Sequence, residues 1–305
     1  MTVQAHQQGD YAPVAGIFFM LAASAVFVGS DSVAKHLSAT FVVAQILWAR
    51  YTFHLLYLAA LTKPRDYRRL IATRAGRLQF VRSASILTSS LCFYVALKHI
   101  PLATAAAISF IWPLVVTALS IPLLGERVGI RRWLAVFVGL GGALVIIRPG
   151  FGFFHWAVLM PLGTAFFYGL YQICTRKVSR VDSPQTSLFY TAVLGALVLN
   201  LATPFFWEAP DARDWMTMLG FGVLTISGQF LIIKALTLTP ATILAPYGYV
   251  YLVFAGIAGF VVFGDIPDAF TIAGSLIITA SGLFVYFRER VHARRSAVVK
   301  VPPER

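Results

Sequence analysis

Long apolar runs follow one another along the whole chain, separated by polar stretches too short to hold a soluble domain. Ten can be marked, at about 14–34, 41–61, 80–97, 102–124, 133–147, 156–175, 187–206, 215–238, 242–263 and 270–287. Most approach the roughly 20 residues that a helix needs to cross about 30 Å of hydrocarbon, and the fifth is short. The strict alternation of a membrane barrel is missing, so the runs predict helices that satisfy their own backbone groups in lipid.

The pattern repeats. The stretch "ALKHIPLATAAAISFIWPLVVTALSIPLLGERVG" from Ala96 aligns without a gap on "ALTLTPATILAPYGYVYLVFAGIAGFVVFGDIPD" from Ala235, an offset of 139. Pro101 falls on Pro240, Gly125 on Gly264 and Glu126 on Asp265. A weaker alignment at offset 140 places Ala25, Phe27, Gly29 and Gln45 on Ala165, Phe167, Gly169 and Gln185. Two copies of an odd number of apolar segments are the construction plan of many secondary transporters. Five helices per copy force the second to sit upside down relative to the first.

Charge agrees with that inversion. Of 305 residues, 58% are hydrophobic and only 12% charged, whereas a soluble domain carries about a quarter charged residues. With the N-terminus inside, the cytoplasmic loops and tail hold 18 of the 25 Lys and Arg. The opposite loops hold four: Lys35, Lys98, Arg148 and Arg213. This is the positive-inside asymmetry, so the net charge of +13 orients the chain and does not mark a nucleic-acid site. Matching loops differ in sign as inversion requires. "GERVGIRR" from Gly125 is basic and "GDIPDAFT" from Gly264 acidic, while "KPRDYRR" from Lys63 opposes a mainly acidic Glu208–Asp214. Met1 to Asp10 lacks the basic region of a cleavable signal. Cys92 and Cys174 lie within helices, so no disulfide framework is expected. The tail after Arg294 reads as disordered.

The Pro-marked turn at Pro101, the "IWP" of Ile111 to Pro113, the "GER" exit at Gly125 and the Gly-rich fifth run resemble the EamA domain of the drug/metabolite transporter superfamily. The resemblance covers nearly the whole chain, as one repeat over 14–147 and a second over 157–287, followed by a basic cytoplasmic tail over 288–305. The second copy departs in having Leu252 for Pro113 and Asp265-Ile266 for Glu126-Arg127. The resemblance implies an all-α membrane protein: ten transmembrane helices as two inverted five-helix repeats, both termini cytoplasmic, in a bacterial inner membrane. It implies a carrier working by alternating access. The overall texture is similar to the EamA carriers that import riboflavin or S-adenosylmethionine; the unpaired positive balance in the membrane favours the uncharged riboflavin, with S-adenosylmethionine uptake and amino-acid or drug export as alternatives. A small molecule and the lipid bilayer are the expected partners; a homodimer is compatible with the pattern, and nucleic acid, cofactor and metal are not expected.

Among the twelve acids only Asp31 lies well inside a helix, and Arg50 is the only base near a helix centre. The first helix runs outward and the second inward, so both sit at comparable depth in the outer half. A charge there costs at least ~2.5 kcal/mol, which favours pairing or a water-filled cavity. Asp31 and Arg50 could clamp two helices, Asp31 could meet Lys35 at i+4, or the pair could bind substrate or a proton. His54 shares a face with Arg50 and reads as a packed polar residue. Arg82 and Lys234 lie near cytoplasmic helix ends and are expected to snorkel.

Pro113 in one copy, and Pro246 with Gly248 in the other, interrupt the fourth helix of each half; such paired interruptions point to a central site. Around them are Phe110, Trp112, Tyr247, Tyr249 and Tyr251. Tyr247 and Tyr251 share a face, while Tyr249 points elsewhere. Tyr168, Tyr171 and Gln172 on the sixth helix, and Gln229 on the eighth, add polar handles. Lining a cavity competes here with plain packing and with interfacial belts, which Trp156, Trp207 and Trp215 suit well. Gly139 with Ala143, and Ala103 with Ala107, are small-residue pairs for close helix packing. No His-Glu-x-x-His, P-loop, Cys/His metal spacing or nucleophile elbow occurs, which argues against an ATP-driven pump and against an enzyme; a nonconducting scaffold or receptor is the other alternative, and it would not explain inverted repeats broken in both halves.

Overall fold

The computed structural model describes residues 13–62, 65, 67–125, 129–148 and 155–298; for residues 61, 69, 241, 242 and 289–298 it describes the backbone alone. The N-terminal stretch, the Glu126-Arg127 exit and the end of the tail lie outside the described residues. Among these residues there are helices and connecting segments, and no strand. In chain order they are α1 (Pro13–Leu37), α2 (Val43–Leu61), the short α3 (Tyr67–Ile71), α4 (Gly76–His99), α5 (Leu102–Ser109), α6 (Trp112–Leu124), α7 (Ile130–Ile147) and α8 (Met160–Val178). Then come α9 (Pro184–Ala202), α10 (Ala212–Leu238), α11 (Ala241–Gly248), α12 (Val250–Phe263) and α13 (Ala269–Val298).

Nine stretches of described helix are long and apolar enough to cross a membrane, with α5 and α6 counting as one and α11 and α12 as another. The second run forms α2, which is 19 residues long. Gln45, Arg50 and His54 leave it too polar to stand with the nine. The basic tail begins differently from the sequence expectation. α13 continues to Val298, so the backbone past Arg294 is helical as far as it is described, an extension of the preceding apolar helix.

Chain chemistry accounts for the helix ends. The fourth helix of each half is broken at matching places: α5 gives way to α6 at Phe110-Ile111, and α11 to α12 at Tyr249. Pro113 has no N–H for the carbonyl four residues back, nor has Pro246, so each removes a rung of its ladder. Gly125 and Gly264 end α6 and α12 with φ of 68° and 70°, the left-handed turn that a Gly cap supplies. The acidic Glu208–Asp214 loop has a local duty as well. Asp214 N–H donates to Asp211 Oδ1 at 2.7 Å and Asp211 N–H to Asp214 Oδ2 at 3.2 Å, a capping box that starts α10.

Packing is mostly between the two copies. α1 lies along α10 and α4 along α8, so the first long helix of each copy meets the third of the other; α2 pairs with α9 and α7 with α13. Ser30 and Thr225 share a hydrogen bond of 3.0 Å between α1 and α10, and Ser89 donates to the Thr164 carbonyl at 3.0 Å between α4 and α8. Large apolar side chains such as Phe137, Val261 and Leu276 are exposed, as a surface facing acyl chains requires.

The α7–α13 seam depends on small residues. A Cβ on Gly142 would lie 2.9 Å from Ile277 Cγ2 and 3.1 Å from the Gly274 carbonyl, whereas one on Gly141 meets nothing within 4 Å. Gly142→Leu is therefore expected to destabilise by roughly 1–3 kcal/mol through overpacking, seen as a drop of several degrees in the thermal unfolding midpoint in detergent. Gly141→Leu should leave the midpoint in place, and equal drops in both variants would refute the close approach.

Candidate functional site

Asp31 in α1 is reached directly from two helices and through one of them from a third. Tyr251 of α12 donates its hydroxyl to Asp31 Oδ2 at 2.5 Å. Tyr94 of α4 donates to Asp31 Oδ1 at 3.4 Å and accepts from Arg50 Nη1 of α2 at 2.9 Å. The chain of contacts is thus Arg50 to Tyr94 to Asp31 to Tyr251. The direct Asp31–Arg50 clamp anticipated from sequence is not formed; a phenol stands between the charges. The i+4 alternative fails too, because Lys35 pairs with Asp265 at 2.5 Å across the repeats. Arg50 also lies near the rings of Tyr51 and Tyr94, at 5.9 and 5.8 Å, a cation–π environment.

Aromatic rings extend this cluster to the broken helices. Phe110 stacks on Tyr251 at 5.4 Å and meets Tyr249 at 5.5 Å. Tyr249 thus touches the cluster through Phe110, while its hydroxyl end lies against Gly282 of α13. Tyr247 goes the other way: it is 37% exposed and separate from these rings.

A second group forms on the other side of the break. Trp112 of α6 meets Tyr168 of α8 edge-on at 5.1 Å, and Tyr168 meets Tyr171 at 5.6 Å. Tyr171 in turn carries Arg82 of α4 over its ring, at 4.7 Å, and accepts a hydrogen bond of 3.0 Å from it. Arg82 is 3% exposed, so the expected snorkelling does not occur: side-chain and backbone oxygens of α8 and α9 hold it inside. Gln172 and Gln229 are half-buried and, among the described residues, make no side-chain hydrogen bond.

The offsets that align the two copies relate these groups. At 140 residues Asp31 falls on Tyr171, and at 139 Phe110 falls on Tyr249 and Trp112 on Tyr251. The arrangement is one motif built twice, with a carboxylate in one copy and a phenol in the other. Chemically it offers flat aromatic faces, phenol and amide groups, and a charge pair separated by one hydroxyl: a surface for recognising a molecule.

A protein-family model, the EamA-like transporter family, matches the chain twice, over residues 14–148 and 155–287. The chain belongs to this family. It is a multi-pass protein of the bacterial inner membrane, as the EamA matches, the bacterial relatives and the nine apolar helices indicate. A riboflavin transporter of Vibrio cholerae is 29% identical over 93% of this chain and 96% of its own length. An S-adenosylmethionine uptake transporter of Rickettsia prowazekii is 30% identical over 62% of this chain and 65% of its own. A pseudopaline exporter of Pseudomonas aeruginosa is 27% identical over 87% and 94%.

Sequence reasoning passed over Tyr94 and gave Arg82 no role in the site. Tyr94 carried little signal, since it lies in the last third of α4, a helix that also holds Arg77, Gln79, Arg82 and four serines. The offset of 139 from Phe110 singles out Tyr249.

Proposed function

We propose that this EamA carrier imports riboflavin, moving it through ten helices by alternating access. In this reading α2 is the tenth span, the second repeat is inverted relative to the first, and both termini lie in the cytoplasm. The halves are 14–147 and 157–287, with a basic cytoplasmic tail over 288–305. No covalent chemistry is involved. The riboflavin transporter relative matches nearly end to end, and that observation carries the choice of cargo. The site chemistry supports it. Riboflavin is a neutral planar ring with a polyhydroxyl tail. The ring suits the faces of Phe110, Trp112 and Tyr168, and the hydroxyls suit the unengaged amides of Gln172 and Gln229. Asp31 and Arg50 offset one another through Tyr94, which leaves no net charge there to favour a cation.

One observation favours S-adenosylmethionine instead. Asp31 is an intramembrane acid ringed by aromatics, which could hold a sulfonium by ionic and cation–π contacts. Expression in a riboflavin auxotroph lacking its own importer decides between them. Growth at micromolar vitamin, with saturable uptake of labelled riboflavin above the empty vector, is the expected result. Absence of uptake despite confirmed insertion would remove riboflavin and leave the family intact; labelled S-adenosylmethionine is then the next cargo to assay.

A further inference from the structure

Arg82 makes four hydrogen bonds, and every one ends on the other repeat. Its Nε donates to Thr175 Oγ1 at 2.8 Å, Nη1 to the Ser187 carbonyl at 2.9 Å and to Thr191 Oγ1 at 2.8 Å, and Nη2 to the Tyr171 hydroxyl at 3.0 Å. All four acceptors are neutral, and among the described residues no carboxylate lies within ion-pair distance of the guanidinium. Gln79, one turn earlier, extends the same seam by donating to Asp182 at 2.9 Å and to Ser187 at 3.2 Å. Tyr190 of α9 donates back to the Ile71 carbonyl at 2.8 Å.

A neutral amide would tie these helices together without the desolvation cost of a buried charge. Neutral oxygens, in turn, bind a guanidinium less firmly than a carboxylate does. A charge held this way suits a contact that forms and breaks. The opposite end of the molecule is also tied across the repeats, by Lys35 to Asp265 and Arg148 to Asp268, and by Gln45 to the backbone of Glu208 at 2.7 and 3.1 Å. We infer that Arg82 is the cytoplasmic gate, whose bonds to α8 and α9 must open to release cargo inside while the Lys35–Asp265 end stays shut. Through Tyr171 the gate touches the aromatic wall, so a cargo taking up that hydroxyl weakens the latch beneath it.

This inference rests on the carrier reading and its orientation, not on the vitamin. Its test needs no cargo, so failed riboflavin uptake and a failed gate are separate outcomes. Ser109 is 8% exposed at the α5–α6 break, and its hydroxyl has no hydrogen-bond partner. In a full-length protein with Cys92 and Cys174 replaced by serine, Ser109→Cys is labelled with a membrane-impermeant thiol reagent. Everted vesicles report the cytoplasmic side and intact spheroplasts the outer side. Adding Arg82→Gln should raise the cytoplasmic labelling rate on the order of tenfold, the factor set by losing a charge-assisted hydrogen bond. The outer rate should not change. Asp265→Asn should do the reverse. Unchanged cytoplasmic labelling in Arg82→Gln overturns the gate, and so does an equal rise on both sides, which would mean general loosening. Should Arg82→Gln not be recovered in membranes, Thr175→Val and Thr191→Val are read in its place. A smaller rise on the cytoplasmic side supports the gate, and no rise overturns it.

Discussion

Asp31→Asn and Arg50→Gln are each expected to lower transport by roughly a hundredfold or more, because removing one partner of a buried charged contact costs about 3–5 kcal/mol. In Asp31→Asn the amide oxygen can still accept from a phenol, but the charge opposing Arg50 is gone. In Arg50→Gln the carboxylate is left with two phenols and no cation. Lys234→Gln is the control, since Lys234 is exposed near a helix end and should change uptake by less than about twofold. Tyr94→Phe isolates the bridge: it keeps both charges and removes the hydroxyl that joins them. A drop of about tenfold or more is expected from losing its two hydrogen bonds to charged groups. Initial uptake rates, normalised to inserted protein, measure all four. A double variant with the two charges exchanged then separates roles: recovered activity marks a structural pair, and continued loss marks contact with cargo or a proton. Full activity in both single variants would take the pair out of the site.

The second large effect belongs to the aromatic wall. Phe110→Ala and Trp112→Ala should each raise the apparent KM roughly tenfold, the loss of a stacking partner together with its buried area. The maximal rate should fall much less. Tyr247→Ala should move KM by less than about twofold, since Tyr247 stands apart from Phe110, Tyr249 and Tyr251. Uptake kinetics over a concentration series give both parameters. A KM shift in Tyr247→Ala as large as that in Phe110→Ala would put Tyr247 into the wall and refute this placement.

Much of the architecture was legible because lipid leaves the chain few options. The apolar runs, the breaks beside Pro113 and Pro246, and the Gly125 and Gly264 exits each follow from local rules that no tertiary contact overrides. That Asp31 and Arg50 come near each other was legible too, from helix direction and residue count. What joins them was not. Tyr94 lies 44 residues beyond Arg50 in sequence, and its meeting with Arg50 depends on how α4 is rotated against α1 and α2. Lys35 could have met Asp31 one turn away, but its partner is Asp265, 230 residues on. Arg82 misled for a related reason: position near a helix end favours snorkelling only when lipid or water is on that side, and α8 and α9 occupy it. Tyr247 was paired with Tyr251 because face-sharing was counted through a break that ends one helix and starts another.

The substitution of Tyr171 for the counterpart of Asp31 has a consequence for how a molecule travels. Two identical half-sites would hold an elongated passenger equally well in either direction, and it could turn over between binding and departure. Here the carboxylate and its phenols stand at one pole, and the Tyr171–Arg82 contact at the other. On the proposed carrier reading, a passenger with two unlike ends would be held one way round and would leave with the same end leading on every cycle. On that reading, two positional isomers that expose the same groups in opposite order would be different passengers to this protein.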